Sequence, residues 1–438
     1  MMEQVVEGIV ERSVSKTLTR ACLALVALGL LSFVVAMATA GPAWTWGAFL
    51  VSLVFFLGLS QGGLLFAIML TGTQASWGRP IKRIGEVLGF FLPVLYLMLL
   101  LFLFVGLPIY PWHPHPVVPP IDLTPHSPAA TVSKEIWLSP WFLIGRQAVG
   151  FALLLAFDLL YLRASLRPDI IRARAILGDD TPQWWNWIAE NPAQLSDEIK
   201  SGQGTQSILF PLVGLLYVGV FSLLAIDLLM SQDPWWYANM FPGWHFISSF
   251  GIGLCALGLF SVLLRDWLGL EHYITPKLTT DLGNLLLAFS MFWAYTAFSQ
   301  FLPIWYADMP EETKYLVLRL QHPQWSWLAL FVVFLCFVLP FVALLFRRVK
   351  QQRWPFAFVC AAMLTGLFAE RILLVIPGVY FSNAWPVWPL LITLGIWLGF
   401  WGALVLVVSH VLATVPPLVI TDPLLQRAPS TDRQLHPS

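Results

Sequence analysis

The residues that could carry chemistry are the few ionisable side chains that interrupt long apolar runs. A charged group inside a bilayer is unfavourable, so such residues are usually paired with one another or functional. Acids and bases at different depths would suit stepwise proton transfer across a membrane. The candidates for such a path are Glu86, Arg146, Asp158, Asp227, His245, Asp281, Glu370 and Arg371.

Spacing along the sequence indicates which of these candidates could pair with one another. Arg146 and Asp158 share one apolar run but lie about 12 residues, or about 18 Å, apart along a helix, so they cannot pair. Asp227, near the end of the next run, is a candidate partner for Arg146. Structural salt bridges are the alternative reading. For Glu86 and Asp281, at the starts of their runs, the alternative is a carboxylate near a helix N-terminus.

Neighbouring Glu370 and Arg371 should project about 100° apart on a helix, which predicts different partners for the two. His245 lies near the end of its run, where an ordinary interfacial side chain is the alternative to a functional one. Only His245 and His410 lie in apolar runs, at opposite ends of the membrane, so a haem with two histidine ligands is not expected.

No other cofactor motif is present in the sequence. The four cysteines, Cys22, Cys255, Cys336 and Cys360, are far apart and lie in apolar runs, so we expect small buried hydrophobic residues and no metal or iron–sulfur ligands. No nucleotide-binding glycine motif is found. The chain is expected to bind no cofactor by itself, apart from a quinone or quinol.

The elements that must position these residues are membrane helices. Hydrophobic residues make up 58% of the chain and charged residues only 11%, and the mean hydropathy is +0.75. A net charge of zero gives no indication of nucleic acid. Ten apolar runs reach the roughly 20 residues that a helix needs to span a bilayer. They are Thr19–Ala40, Trp46–Thr71, Ile84–Gly106, Trp141–Leu162, Ile208–Met230, Pro242–Leu264, Leu282–Tyr306, Trp325–Phe346, Trp354–Val375 and Trp388–Val411.

Lysine and arginine are distributed very unevenly between the connecting segments. The segments on the N-terminal side of the membrane hold most of them, and those on the other side hold only Lys134, Lys314 and Arg319. The positive-inside rule therefore predicts that both termini are cytoplasmic. Residues 163–206 are expected to form a polar cytoplasmic loop, and residues 412–438 a cytoplasmic tail.

A weak internal repeat divides the chain. The third and seventh runs both end in Leu-Pro-Ile followed by an aromatic residue, at Leu107 and Leu302, and Gly63 in the second run aligns with Gly253 in the sixth. Copies separated by four spans run parallel. The sequence therefore predicts an all-α membrane protein with two parallel four-helix bundles, residues 46–230 and 242–375, and with the first and tenth helices outside them.

A block in the seventh run and the segment after it resembles a known family. The block runs from Asp281 through Ser290-Met-Phe-Trp-Ala-Tyr-Thr-Ala-Phe-Ser-Gln300 to Ile304-Trp-Tyr-Ala-Asp308 and Pro310-Glu-Glu-Thr313. It resembles the ten-helix NrfD/polysulfide-reductase-like membrane subunits of alternative complex III, a quinol:electron-acceptor oxidoreductase, and is closest to the second of the two paralogues. The motif residues are Trp293, Tyr295, Ser299, Gln300, Trp305, Tyr306, Pro310, Glu311, Glu312 and Thr313.

The resemblance implies a subunit of a quinol-oxidising respiratory complex in the bacterial cytoplasmic membrane. It implies as partners a homologous ten-helix sister subunit, an iron–sulfur/molybdopterin-like subunit, c-type cytochrome subunits and membrane lipid. Such a subunit would anchor extracytoplasmic redox proteins and conduct protons without transferring electrons itself. The alternatives are a quinol-binding subunit, with quinone at the outer ends of the first bundle, and a stand-alone secondary transporter.

Overall fold

The computed structural model describes residues 8–9, 12–118, 134–178, 181–190, 192–233, 236–379 and 386–425. The described residues are predominantly helical and contain no strand, and ten of their helices are long and apolar enough to cross a membrane. The chain is therefore an all-α, multi-pass membrane protein, as predicted. The helices are α1 Lys16–Thr39, α2 Gly41–Gly72, α3 Arg79–Ile109, α4 Pro140–Leu177, α5 Leu195–Gln232, α6 Phe241–Leu263, α7 Pro276–Ala307, α8 Ser326–Leu345, α9 Arg353–Gly378 and α10 Val387–Thr414.

Two helices are much longer than predicted. Helix α4 continues through residues 163–177, and α5 begins at Leu195, within the segment expected to be a polar loop. Hydropathy does not predict these helix extensions because both are polar, although one side of each packs against the rest of the protein. Leu166, Ile170 and Ala173 are buried on the α4 extension. A helix ends where its capping and packing end, not where its apolar character ends.

Helices α2 and α6 lie at the centre and cross at glycines. Both run in the same direction, since Gly58 faces Ser249 and Gly62 faces Gly253. A Cβ built on Gly253 would lie 2.3 Å from the carbonyl carbon of Gly62, so only glycine permits this backbone approach. The Gly62-Gly63 pair therefore lies at a close backbone approach, and its counterpart Gly253 is the glycine that the repeat aligns with Gly63.

Helices α1 and α10 form a second glycine contact at the periphery. A Cβ on Gly399 would lie 2.7 Å from the Cα of Gly29, and the two helices run in opposite directions. Helix α10 also contacts α2. Small residues permit such close packing between membrane helices, where the hydrophobic effect does not drive association.

The other helices surround the central pair. In the first set, α2 contacts α3 and α5, α3 contacts α4, and α4 packs along α5. In the second set, α6 contacts α7 and α9, and α8 packs between α7 and α9. Helix α2 also contacts α9, and α5 contacts α6, so the two sets share an extensive boundary. The grouping into two bundles remains a prediction.

Below, "N-side" means the face at which α1 begins, and "far side" the opposite face.

A short helix, Pro310–Leu320, connects α7 to α8 on the far side. It follows a left-handed residue, Asp308 at φ 48°, which ends α7. Asparagine and aspartate are among the residues that tolerate this conformation. The turn sends the chain back over the end of the helices and brings Tyr315 and Arg319 into buried positions.

Candidate functional site

The N-side ends of α3 and α4 hold a buried network of charges around Glu86. The Glu86 carboxylate forms a salt bridge with Arg83 at 2.5 Å, accepts a hydrogen bond from Ser165 at 2.6 Å and lies 3.6 Å from the Lys82 ammonium. Glu86 is fully buried. Glu86 lies near the start of α3 and is paired within the protein, so the proton-path interpretation and the helix-start alternative both remain predictions.

Asp169 completes this network and was missed by the sequence reading. One of its oxygens pairs with Arg83, and the other accepts hydrogen bonds from the backbone N–H of Thr421 at 2.8 Å and from its hydroxyl. Residue 169 was placed in a loop because apolarity ends before it. The only available signal was the helical spacing of Asp158, Ser165 and Asp169, which places them on one face.

Part of the predicted tail packs into the same network. Residues 415–425 follow α10, and within them Asp422 pairs with Arg79 at 2.5 Å and lies 4.0 Å from Lys82. Arg172 donates to the carbonyl of Ile420. Residues 426–438, the rest of the predicted tail, lie outside the described residues. A cavity of about 380 Å³ beside this network is lined by Thr71, Lys82, Ser165 and Asp422, among others.

Asp158 lies deeper in the membrane and differs from every other candidate acid. It is fully buried on α4, no described cation forms a salt bridge with it, and neither carboxylate oxygen makes a hydrogen bond of good geometry with a described residue, although the amide of Gln61 lies beside it. The side-chain nitrogen of nearby Gln61 and the hydroxyl of Ser60 also lack partners among the described residues. Asp158 and Gln61 border a void of about 10 Å³, close to the volume that one water molecule requires.

Polar groups lead from the N-side cavity to a position one helical turn from Asp158. Tyr161, about 4.5 Å further along the axis of α4, hydrogen-bonds Thr71 at 2.7 Å, and Thr71 lines the cavity. On the other side of Asp158 the buried face of α4 presents Leu154 and Phe151 before the next polar residue, Gln147. Polar groups thus approach Asp158 from the N-side, whereas apolar side chains separate it from the far side.

The far-side ends of α4 and α5 hold the predicted Arg146–Asp227 pair. Arg146 binds both carboxylate oxygens of Asp227, each at 2.7 Å, and Gln147 and Trp137 donate to the same carboxylate at 2.6 and 3.1 Å. Asp227 lies in a π-helical turn, Ala225–Leu229. The pairing prediction is confirmed, and this carboxylate is saturated with donors.

The prediction that Glu370 and Arg371 have separate partners is wrong. Their side chains form a buried salt bridge at 2.8 Å. Ser248 on α6 bridges them, since it donates to Glu370 at 2.6 Å and accepts from Arg371 at 3.0 Å. Flexible side chains overcome the 100° separation because both turn toward the same serine. His245 is fully buried and lies 3.5 Å from Ser249, which Arg371 also contacts, so it is not an interfacial side chain.

The motif residues of α7 are not gathered at one point. Trp293 is buried and donates to Glu370 at 2.8 Å. Asp281 is half-buried at the N-side end of α7, far along the helix from Trp293. Tyr295, Trp305, Tyr306 and Pro310 are exposed, and Ser299, Gln300, Glu312 and Thr313 are half-buried. The side chain of Glu311 lies outside the described part of the structure.

A large cavity of about 780 Å³ opens beside Trp293 and Glu370. Helices α6 to α9 and the connecting helix Pro310–Leu320 form its walls, which are mostly apolar and aromatic. A smaller cavity of about 370 Å³ lies at the far-side ends of α4 and α5, beside Trp137 and Asp233. The latter is where the quinol-binding alternative places its ligand, and that alternative remains a prediction.

Comparison with known proteins adds no assignment. No protein-family model matches this sequence, and no curated protein matches it.

Proposed function

We propose that this chain is a proton-conducting membrane subunit of a quinol-oxidising respiratory complex of the alternative complex III type. It resides in the bacterial cytoplasmic membrane with both termini cytoplasmic, so the N-side is the cytoplasmic side. Its partners are the sister ten-helix subunit, the iron–sulfur/molybdopterin-like subunit and the c-type cytochromes. The motif block of α7 supports the membership, and the lysine and arginine distribution supports the orientation.

One observation carries the proton role: Asp158 is a fully buried acid without a cationic partner among the described residues. Burying an unpaired carboxylate costs several kcal/mol, so a neutral acid suits this environment. Such a group changes charge only when a proton or a water molecule reaches it. The approach through Tyr161 and Thr71 from the N-side cavity provides the direction of access.

In this scheme Asp158 receives a proton from the N-side and passes it onward when the apolar barrier at Phe151 and Leu154 becomes hydrated. Quinol oxidation elsewhere in the complex would have to drive that change. The chain's own groups donate and accept protons only, and the redox chemistry belongs to the partners.

The decisive experiment replaces Asp158 with asparagine in the reconstituted complex. Asparagine keeps the shape but carries no transferable acidic proton, so proton translocation per quinol oxidised should fall. The matched control is Asp197→Asn, which makes the same chemical change at an exposed position on α5. Unchanged translocation stoichiometry in Asp158→Asn would remove Asp158 from the path.

A second measurement does not depend on turnover. In infrared spectra of the purified chain at neutral pH, we expect a protonated carboxylic acid band that Asp158→Asn removes and Asp197→Asn retains. Complex membership is tested separately by purification in mild detergent, which should bring haem-containing subunits with the chain. Recovery of the chain alone would favour the transporter alternative.

A further inference from the structure

The N-side cavity beside the Glu86 network lies at the depth of the lipid headgroups. Thr71, Lys82, Ser165 and Ser207 line it, and each lies within a few residues of the point where the apolar run of its helix begins or ends. Apolar runs end where the hydrocarbon gives way to the headgroup region. The volume of about 380 Å³ lies within the range of small-molecule pockets, roughly 300–1,000 Å³.

Helix α5 connects this cavity to an exposed apolar surface. Gln203 and Ser207 line the cavity and are exposed. Positions four apart share one face of a helix, so Pro211 and Leu215 continue this face toward the hydrocarbon. Both are exposed, Leu215 by 74%. A lipid whose headgroup enters the cavity therefore has an apolar surface for its acyl chain.

The wall of the cavity holds an ammonium with unused hydrogen-bonding capacity. Lys82 is 1% exposed, and its Nζ donates to Gln206 at 3.2 Å and lies 4.0 Å from Asp422. Because Gln206 and Asp422 both line the cavity, the ammonium lies at its wall. An ammonium carries three donors, and Gln206 is its hydrogen-bond acceptor among the described residues, since Glu86 lies further away at 3.6 Å. Donors therefore remain for an anionic group such as a phosphate.

The same cavity is lined by an acid. The side chain of Asp422 is 15% exposed; it pairs with Arg79 and accepts a hydrogen bond from the backbone N–H of Leu424 at 3.0 Å. A carboxylate has about four acceptor positions. Asp422 therefore retains capacity for a further donor, close to the Lys82 ammonium.

The charges around the cavity are already balanced within the described network. It contains three cations and three acids, which are Arg79, Lys82, Arg83, Glu86, Asp169 and Asp422. An added net charge among poorly solvated groups would be unfavourable. The ligand that fits is therefore a zwitterion, with an anionic group for Lys82 and a cationic N–H donor for Asp422.

We propose that this cavity binds a membrane phospholipid with a phosphoethanolamine headgroup. Its phosphate accepts hydrogen bonds from Lys82, its ammonium donates to Asp422, and an acyl chain follows Pro211 and Leu215. Phosphatidylcholine has no N–H donor, and phosphatidylglycerol has no cationic group and carries a net charge, so both should fit less well. The inference does not rest on the proton role of Asp158, and Asp158→Asn should bind the lipid like the parent.

The test measures the displacement of radiolabelled phosphatidylethanolamine from the purified, delipidated chain in detergent micelles. Phosphatidylcholine and phosphatidylglycerol should compete roughly 10- to 100-fold more weakly than unlabelled phosphatidylethanolamine, the range expected when one hydrogen bond to a charged group is lost. Free phosphoethanolamine should also compete weakly because it has no acyl chain. Equal competition by free phosphoethanolamine would identify a site for a soluble phosphate compound and overturn the lipid assignment.

Two variants test the two charged contacts. Asp422→Asn keeps the shape but removes the charge that binds the ammonium, so it should weaken phosphatidylethanolamine binding and abolish the preference over phosphatidylcholine. The matched control is Asp266→Asn, which makes the same change in an N-side pair with Arg353 and should bind like the parent. Lys82→Met should weaken the binding of all three lipids, since each carries the phosphate.

The outcome does not depend on the folding of Lys82→Met, because the three competitors and Asp422→Asn decide it without that variant. Equal competition by the three lipids in the parent would overturn the proposal. Parent-like affinity and selectivity in Asp422→Asn would overturn it too, as would the absence of saturable binding.

Discussion

The glycine crossing of α2 and α6 makes a strong prediction about stability. Substituting Gly253 by alanine places a Cβ 2.3 Å from the carbonyl carbon of Gly62 and 2.4 Å from the nitrogen of Gly63. Both obstacles are backbone atoms, so no side chain can turn aside. The helices must separate by roughly 1 Å to reach an ordinary contact, which loosens the packing on both sides of the crossing.

The expected cost follows from that geometry. Overpacking a well-packed site costs about 1–3 kcal/mol, and a backbone obstacle belongs near the upper end. A loss of about 2–3 kcal/mol corresponds to a roughly 30- to 150-fold change in the unfolding equilibrium. Gly62→Ala should cost less, since its Cβ would meet the carbonyl oxygen of Ser249 at 2.9 Å. Gly251→Ala, whose Cβ meets nothing within 4 Å, should be neutral or gain up to about 1 kcal/mol of helix propensity.

The assay is unfolding of the purified chain in mixed micelles with increasing SDS, followed by circular dichroism. The three variants should rank Gly253→Ala as least stable, then Gly62→Ala, then Gly251→Ala. Gly251 is the matched control, because it lies on the same helix and undergoes the same chemical change. Equal free energies of unfolding for Gly253→Ala and Gly251→Ala would refute the claim that backbone contact at the crossing limits this position.

Two further predictions concern other contacts. Arg146→Ala should destabilise the chain by about 3–5 kcal/mol because it leaves the buried Asp227 carboxylate without its cationic partner. In a double-mutant cycle, adding Asp227→Asn should recover part of that loss. Strictly additive effects of the two substitutions would contradict the pairing. Gly399→Ala should destabilise the packing of α10 on α1, since its Cβ would lie 2.7 Å from the Cα of Gly29; the same SDS titration measures it, and an unchanged midpoint would argue against close contact at this position.

Much of the helical architecture could be predicted from the sequence because hydrocarbon restricts the available structures. An apolar run long enough to span a bilayer must be a helix, since no water satisfies its backbone groups. The ten spans follow from this rule. The Arg146–Asp227 pair follows as well, because ionisable groups in a membrane are usually paired and few cations were available. A pair such as Gly62-Gly63 is a sequence signal of close helix approach, because only small residues allow one.

Other features could not be read from the sequence because they depend on contacts distant along the chain. Apolarity alone assigns Asp169 and Asp422 to polar segments, but the extension of α4 buries Asp169 and the return of the chain after α10 partly buries Asp422. The Glu370–Arg371 pair depends on Ser248 of another helix, so the 100° separation of neighbouring residues on one helix could not predict it. The large cavity is created by the fold-back of Pro310–Leu320, whose position no local pattern specifies.

The contrast among the buried acids decides which of them is suited to carry a proton. Protonating Asp227 or Glu370 would leave a guanidinium, of Arg146 or Arg371, without its counter-charge in a poorly solvated place, so each pair resists a change of charge. Asp158 has no such tie among the described residues. Charging it needs only a transient water in the void that it shares with Gln61, and discharging it breaks no salt bridge. Under the proposed function, Asp158 is therefore the acid whose protonation changes, and the paired acids hold the helices around it.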